Sequence, residues 1–286
     1  MQEFDMKVMH HIACDGSASL SSALKTFQVE FTEVFLPSQN QEQVSILAFD
    51  IGEANEKYPI VLKFLPSDYT DIPHLEFSEK ELLKSDWLTM RCTNSEFDLS
   101  YVERLFPFVK SASPSRAKCK HVQWGQLYLS KPINWRKKHF ASSYELGTSY
   151  MFCDDFAKRV LEQSGAKIMF ETILHSRTKA VLENNYFMHL TDELPLDAIA
   201  FYGEERAGIC EACGQNYYLT PQPGTYQLHI YKSYLQGRNC ICKTPDVFAL
   251  APISSHPFIL VSQTLYRQLR EKHATKNLVF EPVILV

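Results

Sequence analysis

Two close pairs of cysteines stand out in this sequence, because thiols at such short spacing can bind one metal ion together. Cys210 and Cys213 belong to a CxxCG motif, and Cys240 and Cys242 form a tighter pair within NCICK. Zinc takes four soft or borderline ligands in a tetrahedron, and a cysteine pair on a turn supplies two of them. The spacing therefore predicts one zinc ion bound by Cys210, Cys213, Cys240 and Cys242.

Such a zinc ion would stabilise the fold rather than catalyse a reaction. Four thiolates close the coordination sphere and leave no position for an activated water. Two other interpretations stay open: reduced cysteines that pack as small apolar side chains, and a redox-active Cys210/Cys213 pair. His229 could replace one cysteine as a ligand, but its place inside an alternating stretch argues against this.

The stretch between the two pairs, TYQLHIYKSYL (225–235), alternates like a β-strand. Gly237 would relieve the turn that precedes Cys240. We therefore expect residues 205–245 to form a zinc-ribbon-like hairpin whose base the metal clamps.

The composition is that of a globular protein, with 45% hydrophobic and 22% charged residues among 286. The formal net charge of −4 argues against broad, nonspecific nucleic-acid binding, which usually needs a basic domain. The polar start, MQEFDMKVMHH, has no apolar signal-peptide region, and no stretch is apolar for long enough to span a membrane. We therefore expect a cytoplasmic protein without a membrane partner, whose thiols stay reduced.

The N-terminal part shows both strand and helix patterns. Alternating apolar and polar residues predict strands at 29–36, 43–49 and 59–65. A capping-box pattern predicts a helix over 78–88, and an apolar face predicts a second helix over 98–109, which Pro107 ends or kinks.

The small, polar and basic stretch SASPSRAKCK (111–120) is the best candidate for a domain boundary. It predicts an N-terminal α+β domain over 1–115 and a C-terminal α+β domain over 120–286.

The C-terminal part contains two similar stretches, at 151–174 and 259–285. Each predicts a strand, a capped helix, a short turn and a strand. Asp154 and Ser262 are natural N-caps, because their side-chain oxygens can accept the unpaired amide hydrogens of the first turn. A chance similarity between two strand–helix–strand units is the alternative to an internal repeat.

The proposed repeat aligns Phe156 with Leu265. One extra residue in the second loop then brings Phe170 onto Phe280, with a glutamate following each of these phenylalanines. Taken together, the patterns predict an α+β fold with mixed or antiparallel sheets. The repeated strand–helix–strand unit and the zinc-ribbon-like hairpin belong to its C-terminal half.

The C-terminal motifs resemble those of the bacterial double-CXXCG motif family. The CxxCG pair, then DVF (246–248), then FILVSQTLYRQL ending in VFEPVIL carry the resemblance, which is strongest over roughly the last eighty residues. Related immunity proteins of polymorphic toxin systems share the signature of strand, serine cap, helix, short turn and phenylalanine–glutamate strand. The sequence departs from the family at Cys240-Ile-Cys242, where a second CxxC is expected. The resemblance implies an intracellular protein that binds and neutralises one cognate toxin domain.

The stretch from Glu183 to Glu211 carries seven acidic residues against Arg206 alone. An acidic surface with aromatic side chains could steer onto a basic toxin cleft and block it. An ordinary solvated face is the alternative. The residues predicted to contact the partner are Asp192, Glu193, Asp197, Tyr202, Glu204 and Glu205.

Catalytic motifs are absent from the sequence, which has no GxxxxGK[ST], GxGxxG, HExxH or GxSxG. We therefore expect no enzymatic activity. His10, His11 and Cys14 lie close together, and Cys153 ends an apolar strand, but both patterns are typical of packed or surface side chains.

Two other functions stay open beside the immunity hypothesis. In a zinc-ribbon nucleic-acid-binding module, Lys232, Arg238 and Lys243 would contact phosphates. An enzyme that reverses a toxin's modification of its target would need a polar cleft. The basic run at 136–139, beside Trp135, could also touch nucleic acid, although a solvated loop is the more ordinary interpretation.

Overall fold

The computed structural model describes residues 7–37, 43–92, 126–143, 147–200, 208–209, 216–219, 227–238, 240–245, 248–251 and 254–286. The chain divides into two compact units. The first comprises Met1–Ser78 with Pro221–Tyr226, and the second comprises Glu79–Thr220 with Gln227–Val286.

The described part of the first unit contains a four-stranded antiparallel sheet and two helices. Its strands are β1 (Lys7–Asp15), β2 (Phe31–Pro37), β3 (Gln43–Gly52) and β4 (Thr70–Glu76), in the order β2-β3-β1-β4. Its helices are α1 (Ala18–Thr26) and α2 (Tyr58–Val61), the latter continued by a 3₁₀ turn at Leu62–Phe64.

One face of this sheet forms a core with the helices. Helix α1 begins at Ser17, whose hydroxyl accepts a hydrogen bond from the Leu20 amide at 3.1 Å. The residues buried in this core are Ile12, Cys14, Leu20, Leu24, Leu47, Phe49, Ile51 and Val61.

The strands predicted at 29–36 and 43–49 are confirmed as β2 and β3. The strand predicted at 59–65 is wrong, because this stretch forms α2 and the 3₁₀ turn. Pro59 lies in the first turn of α2, where a proline stabilises a helix start and loses no hydrogen bond. A short apolar run is compatible with either a strand or a buried helix, and here Pro59 favours the helix.

The helix predicted over 78–88 is much shorter in the structure, as α3 (Glu79–Leu82). The chain then enters β5 (Trp87–Cys92), a buried strand that the capping-box pattern did not indicate. The predicted helix over 98–109 and the predicted boundary at 111–120 lie outside the described residues. The two units divide after Ser78, earlier than that boundary, because β5 pairs with strands near the end of the chain.

The second unit contains two larger sheets. The mixed five-stranded sheet has the order β6-β9-β10-β8-β7, with strands β6 (Tyr128–Leu129), β7 (Phe140–Ser143), β8 (Gly147–Cys153), β9 (Ile168–His175) and β10 (Val181–Leu190). The antiparallel four-stranded sheet has the order β14-β17-β5-β18. Its strands besides β5 are β14 (Ile241–Lys243), β17 (Ile259–Ser262) and β18 (Leu278–Pro282).

Two smaller sheets are also found among the described residues of the second unit. One has the order β11-β12-β15-β16, with strands β11 (Gly208–Ile209), β12 (Asn216–Leu219), β15 (Phe248–Ala251) and β16 (Ser254–His256). The other pairs β13 (His229–Ile230) with β19 (Ile284–Leu285) in parallel. The long strand predicted over 225–235 is therefore wrong for its second half, because a 3₁₀ turn at Lys232–Tyr234 follows β13.

Two helices connect strands across the larger sheets. Helix α4 (Asp155–Gln163) joins β8 to β9, and these strands flank β10, which is antiparallel to both. Helix α5 (Gln263–Glu271) joins β17 to β18, and these strands flank β5, again antiparallel to both. We call the two arrangements the β10-centred motif and the β5-centred motif.

Both helices have the predicted caps. The Asp154 carboxylate accepts from the Ala157 amide at 2.8 Å, and the Ser262 hydroxyl accepts from the Leu265 amide at 3.3 Å. These caps align Ala157 with Leu265, which is one residue away from the sequence alignment of Phe156 with Leu265. Descent of the two motifs from one repeat stays a prediction.

The two motifs share one hydrophobic core within the second unit. Side chains from α4, α5 and both middle strands belong to a single buried cluster that includes Met90, Leu161, Met188 and Leu269. The described architecture is thus α+β, mostly sheet, with antiparallel and mixed pairing. Among the described residues, no helix is long and apolar enough to cross a membrane.

Candidate functional site

Cys242 lies within β14, and Cys240 directly precedes that strand. Residues two apart on an extended strand point to the same face, and the pairing of β14 with β17 continues to Cys240, whose carbonyl accepts from the Ser262 amide at 2.8 Å. The Cys240 sulfur is 3.6 Å from the hydroxyl oxygen of Ser164 and 3.6 Å from its carbonyl oxygen. The first cysteine of the pair therefore packs against the C-terminal end of α4.

Cys242 is fully buried. Burial, together with the negative charge of Asp192, raises the pKa of its thiol to about 12, although Arg238 acts in the opposite direction. The protonated thiol is thus the stable form of Cys242, and its surroundings are those of a packed apolar side chain.

The CxxCG motif falls between two paired strands along the chain. Gly208 at the start of β11 pairs with Tyr217, and Ile209 pairs with Asn216 at the start of β12. The pairing brings the two ends of the stretch 210–215 together. Cys210 and Cys213 themselves lie outside the described residues.

Whether these residues can bind a zinc ion depends on how many potential ligands lie close together around Cys240 and Cys242. Among the residues that the structure describes, no group of three or more histidine, cysteine or carboxylate side chains could hold a metal ion. Cys240 and Cys242 supply two thiols two residues apart, and the other two predicted ligands are not among those residues. Zinc bound by all four cysteines therefore stays a prediction.

The three described members of the predicted acidic surface have partners within the chain. Asp192 forms an ion pair with Arg238, and the Glu193 carboxylate lies 2.9 Å from the ammonium of Lys243. Asp197 accepts a hydrogen bond from the Tyr234 hydroxyl at 2.8 Å, which raises the pKa of that tyrosine. The remaining members, Tyr202, Glu204 and Glu205, lie outside the described residues.

Two of the three basic residues of the nucleic-acid hypothesis are the partners in these ion pairs. Arg238 and Lys243, predicted to contact phosphates, instead face Asp192 and Glu193. Lys232 is exposed. The structure thus joins two candidate surfaces, one acidic and one basic, into one internal network.

Backbone hydrogen bonds hold the same segments together. The Lys243 amide donates to the Asp192 carbonyl at 2.9 Å, and the Leu194 amide donates to the Lys243 carbonyl at 2.8 Å. Further along, the Tyr231 amide donates to the Ala198 carbonyl at 2.9 Å. The start of the stretch 192–198 therefore covers the outer edge of β14, which would otherwise expose unpaired backbone groups.

The other candidate residues occupy ordinary structural positions. Cys153 is fully buried, and burial raises the pKa of its thiol well above the usual value, as in a packed side chain. His10 lies 3.0 Å from the carboxylate of Asp71, and His11 lies 2.8 Å from that of Asp50. Each of these histidines is thus oriented by a carboxylate on a neighbouring strand of the first sheet.

Sequence reasoning missed the internal network between the acidic and basic sets. Asp192 and Arg238 are 46 residues apart in the sequence, and their pairing depends on the fold. The opposite charges of the acidic and basic residues could have indicated the pairing, since neighbouring charges of opposite sign attract.

Comparison of the chain with protein-family models, with curated proteins and with solved structures finds no match.

Proposed function

We propose that this chain is an immunity protein that binds and neutralises a cognate bacterial toxin domain. The observation that carries the proposal is the order of the C-terminal elements. The CxxCG motif follows β11, and after it come β17, the Ser262-capped helix α5, a turn and β18 with its Phe280-Glu281 pair. This is the order that the resemblance to the double-CXXCG motif family implies.

The proposal includes a structural zinc ion bound by Cys210, Cys213, Cys240 and Cys242. The ion would tie the stretch between β11 and β12 to β14, and it would add stability without taking part in a reaction. Metal analysis of the purified protein is expected to give one zinc per chain, and chelation is expected to lower the melting temperature. Protein without stoichiometric zinc, whose melting is unchanged by a chelator, would leave the thiols as packed side chains.

The acidic surface proposed for toxin contact has a competitor inside the chain. A basic toxin cleft would have to compete with Arg238 and Lys243 for the carboxylates of Asp192 and Glu193. Breaking such pairs costs free energy unless the new partner replaces them.

A co-expression rescue tests the proposed function. The C-terminal domain encoded immediately upstream in the source genome is induced in a bacterial host, and survivors are counted with and without this chain. Rescue together with a stable one-to-one complex is the expected result. Rescue without a complex would favour an enzyme that reverses the toxin's effect, and a neighbour that kills regardless would contradict the proposal.

A further inference from the structure

A cluster of cationic side chains lies at one end of the five-stranded sheet. The segments that carry it, 126–139 and 175–185, contain six lysine or arginine residues and a single acidic residue, Glu183. The chain as a whole has a net charge of −4. We call this cluster the basic rim, and its members are Lys131, Arg136, Lys137, Lys138, Arg177 and Lys179.

Hydrogen bonds bring the two segments of the basic rim together. The Ser176 amide donates to the Leu129 carbonyl at 2.7 Å, which places the β9–β10 turn beside the end of β6. The Ile133 amide donates to the side-chain oxygen of Asn185 at 3.0 Å, and the Trp135 indole donates to the Asn184 carbonyl at 2.8 Å. The loop after β6 therefore lies across the start of β10, close to the turn.

Most of the rim's charge is available to a partner. Arg136, Lys137, Arg177 and Lys179 are exposed, and none of them forms an ion pair with another described residue. The Lys179 ammonium lies over the Tyr128 ring, a contact that leaves its positive charge without a counter-ion. Asp192 and Glu193, by contrast, are already paired within the chain. Two exposed carboxylates also border the rim, those of Glu183 and Asp155, and the Asp155 amide donates to the side-chain oxygen of Asn184 at 2.6 Å. The four exposed cations outnumber these two carboxylates, so the net charge of this surface is positive and electrostatic complementarity favours a negative partner.

We propose that the basic rim is a docking surface for an acidic protein face, and, resting on the proposed function, that the cognate toxin domain supplies this face. Carboxylates opposite the exposed arginine and lysine side chains would form charge-assisted hydrogen bonds. They would also steer the two proteins together over distances comparable to the screening length of about 8 Å at physiological salt.

The structure favours a protein over a nucleic acid as the partner. Single-stranded nucleic acids are bound by stacking their bases on free aromatic rings. The Tyr128 ring is covered by the Lys179 ammonium, 3.9 Å from its centroid, and Trp135 is buried with its indole nitrogen bonded. A long polyanion would also extend beyond the rim onto a chain of net negative charge.

A charge-reversal variant tests the docking surface. Arg136, Lys137, Arg177 and Lys179 are all changed to glutamate, and binding of the toxin domain is measured by calorimetry at low and physiological salt. The affinity is expected to fall by about tenfold to a hundredfold, because like charges then face each other. The matched control reverses the same number of exposed cations elsewhere in the second unit, at Lys80, Arg267, Lys272 and Lys276. It should keep the wild-type affinity.

The outcomes separate this inference from the proposed function. If both variants bind the toxin domain as the wild type does, the docking surface is elsewhere and the immunity function stands. If the wild type does not bind the domain, the immunity function fails. Binding of a polyglutamate peptide and of a single-stranded oligonucleotide then shows which kind of anion the basic rim prefers. Rim-dependent binding of the peptide supports an acidic protein partner. Tighter binding of the oligonucleotide, or binding of neither probe, overturns it.

Discussion

In the β10-centred motif the middle strand follows β9 through a short turn, whereas in the β5-centred motif it comes from a distant part of the chain. The ion pair between Glu171 and His189 joins residues 18 apart in the sequence, and the one between Glu281 and Arg91 joins residues 190 apart. The arrangement of strands around each middle strand is nevertheless the same.

Equivalent positions in the two motifs carry similar side chains. Met188 of β10 lies opposite Phe170, and Met90 of β5 lies opposite Phe280. The glutamate after each phenylalanine pairs diagonally with a basic residue on the middle strand. Burial and cross-strand pairing therefore define this geometry, and the order of the strands along the chain does not.

The largest expected effect concerns the two methionines. Met90→Ala and Met188→Ala should each lower the free energy of unfolding by about 2–5 kcal/mol, because each removes a buried side chain from the shared core. Urea unfolding followed by tryptophan fluorescence measures this, since all three tryptophans belong to the second unit. Met169→Ala is the control, because Met169 is 58% exposed. A clearly smaller loss for one methionine would show that the two motifs are not packed alike.

A smaller effect is expected at the turns that end the two helices. Gly165 after α4 and His273 after α5 both have positive φ, at 75° and 56°. Glycine adopts this conformation without the strain that other residues incur. His273→Gly should therefore stabilise the protein by about 0.5–1 kcal/mol, and Gly165→Ala should destabilise it by about 1 kcal/mol.

Thermal melting of the two turn variants measures this difference. A Cβ atom at Gly165 would meet nothing within 4 Å, so the expected loss reflects backbone conformation and not crowding. Opposite signs for the two substitutions support equivalent turns, and a neutral Gly165→Ala would argue against them.

The smallest expected effect concerns the two glutamates. Glu171→Gln and Glu281→Gln should each cost less than about 1 kcal/mol, because both ion pairs are partly exposed to solvent. Urea unfolding measures both losses. A loss well above about 1 kcal/mol at either glutamate would contradict the expectation for a partly exposed ion pair.

Parts of this architecture could be predicted from the sequence. Strands β2 and β3 follow from simple alternation, and the caps at Asp154 and Ser262 follow from side-chain chemistry. Strand β5 was missed, because a capping-box pattern just before it favoured one long helix. Its burial depends on partners at the far end of the chain, which no local pattern reveals.

The candidate site was less predictable than the fold. The acidic and basic sets were recognised, but their pairing through Asp192 and Arg238 depends on the fold and not on a local motif. The spacing of the cysteines is compatible with Cys242 as a metal ligand or as a core residue. Its full burial results from its position in β14, which the spacing does not reveal.

The position of β5 has a consequence for the synthesis of the protein. A ribosome adds roughly 5–20 residues per second, so the 190 residues between Arg91 and Glu281 take on the order of ten to forty seconds to appear. For most of that time the apolar side chains of β5 have neither of their final neighbours, because β17 begins only at Ile259. Before β17 and β18 emerge, β5 is therefore an unpaired apolar strand of the kind that makes newly made chains prone to aggregation.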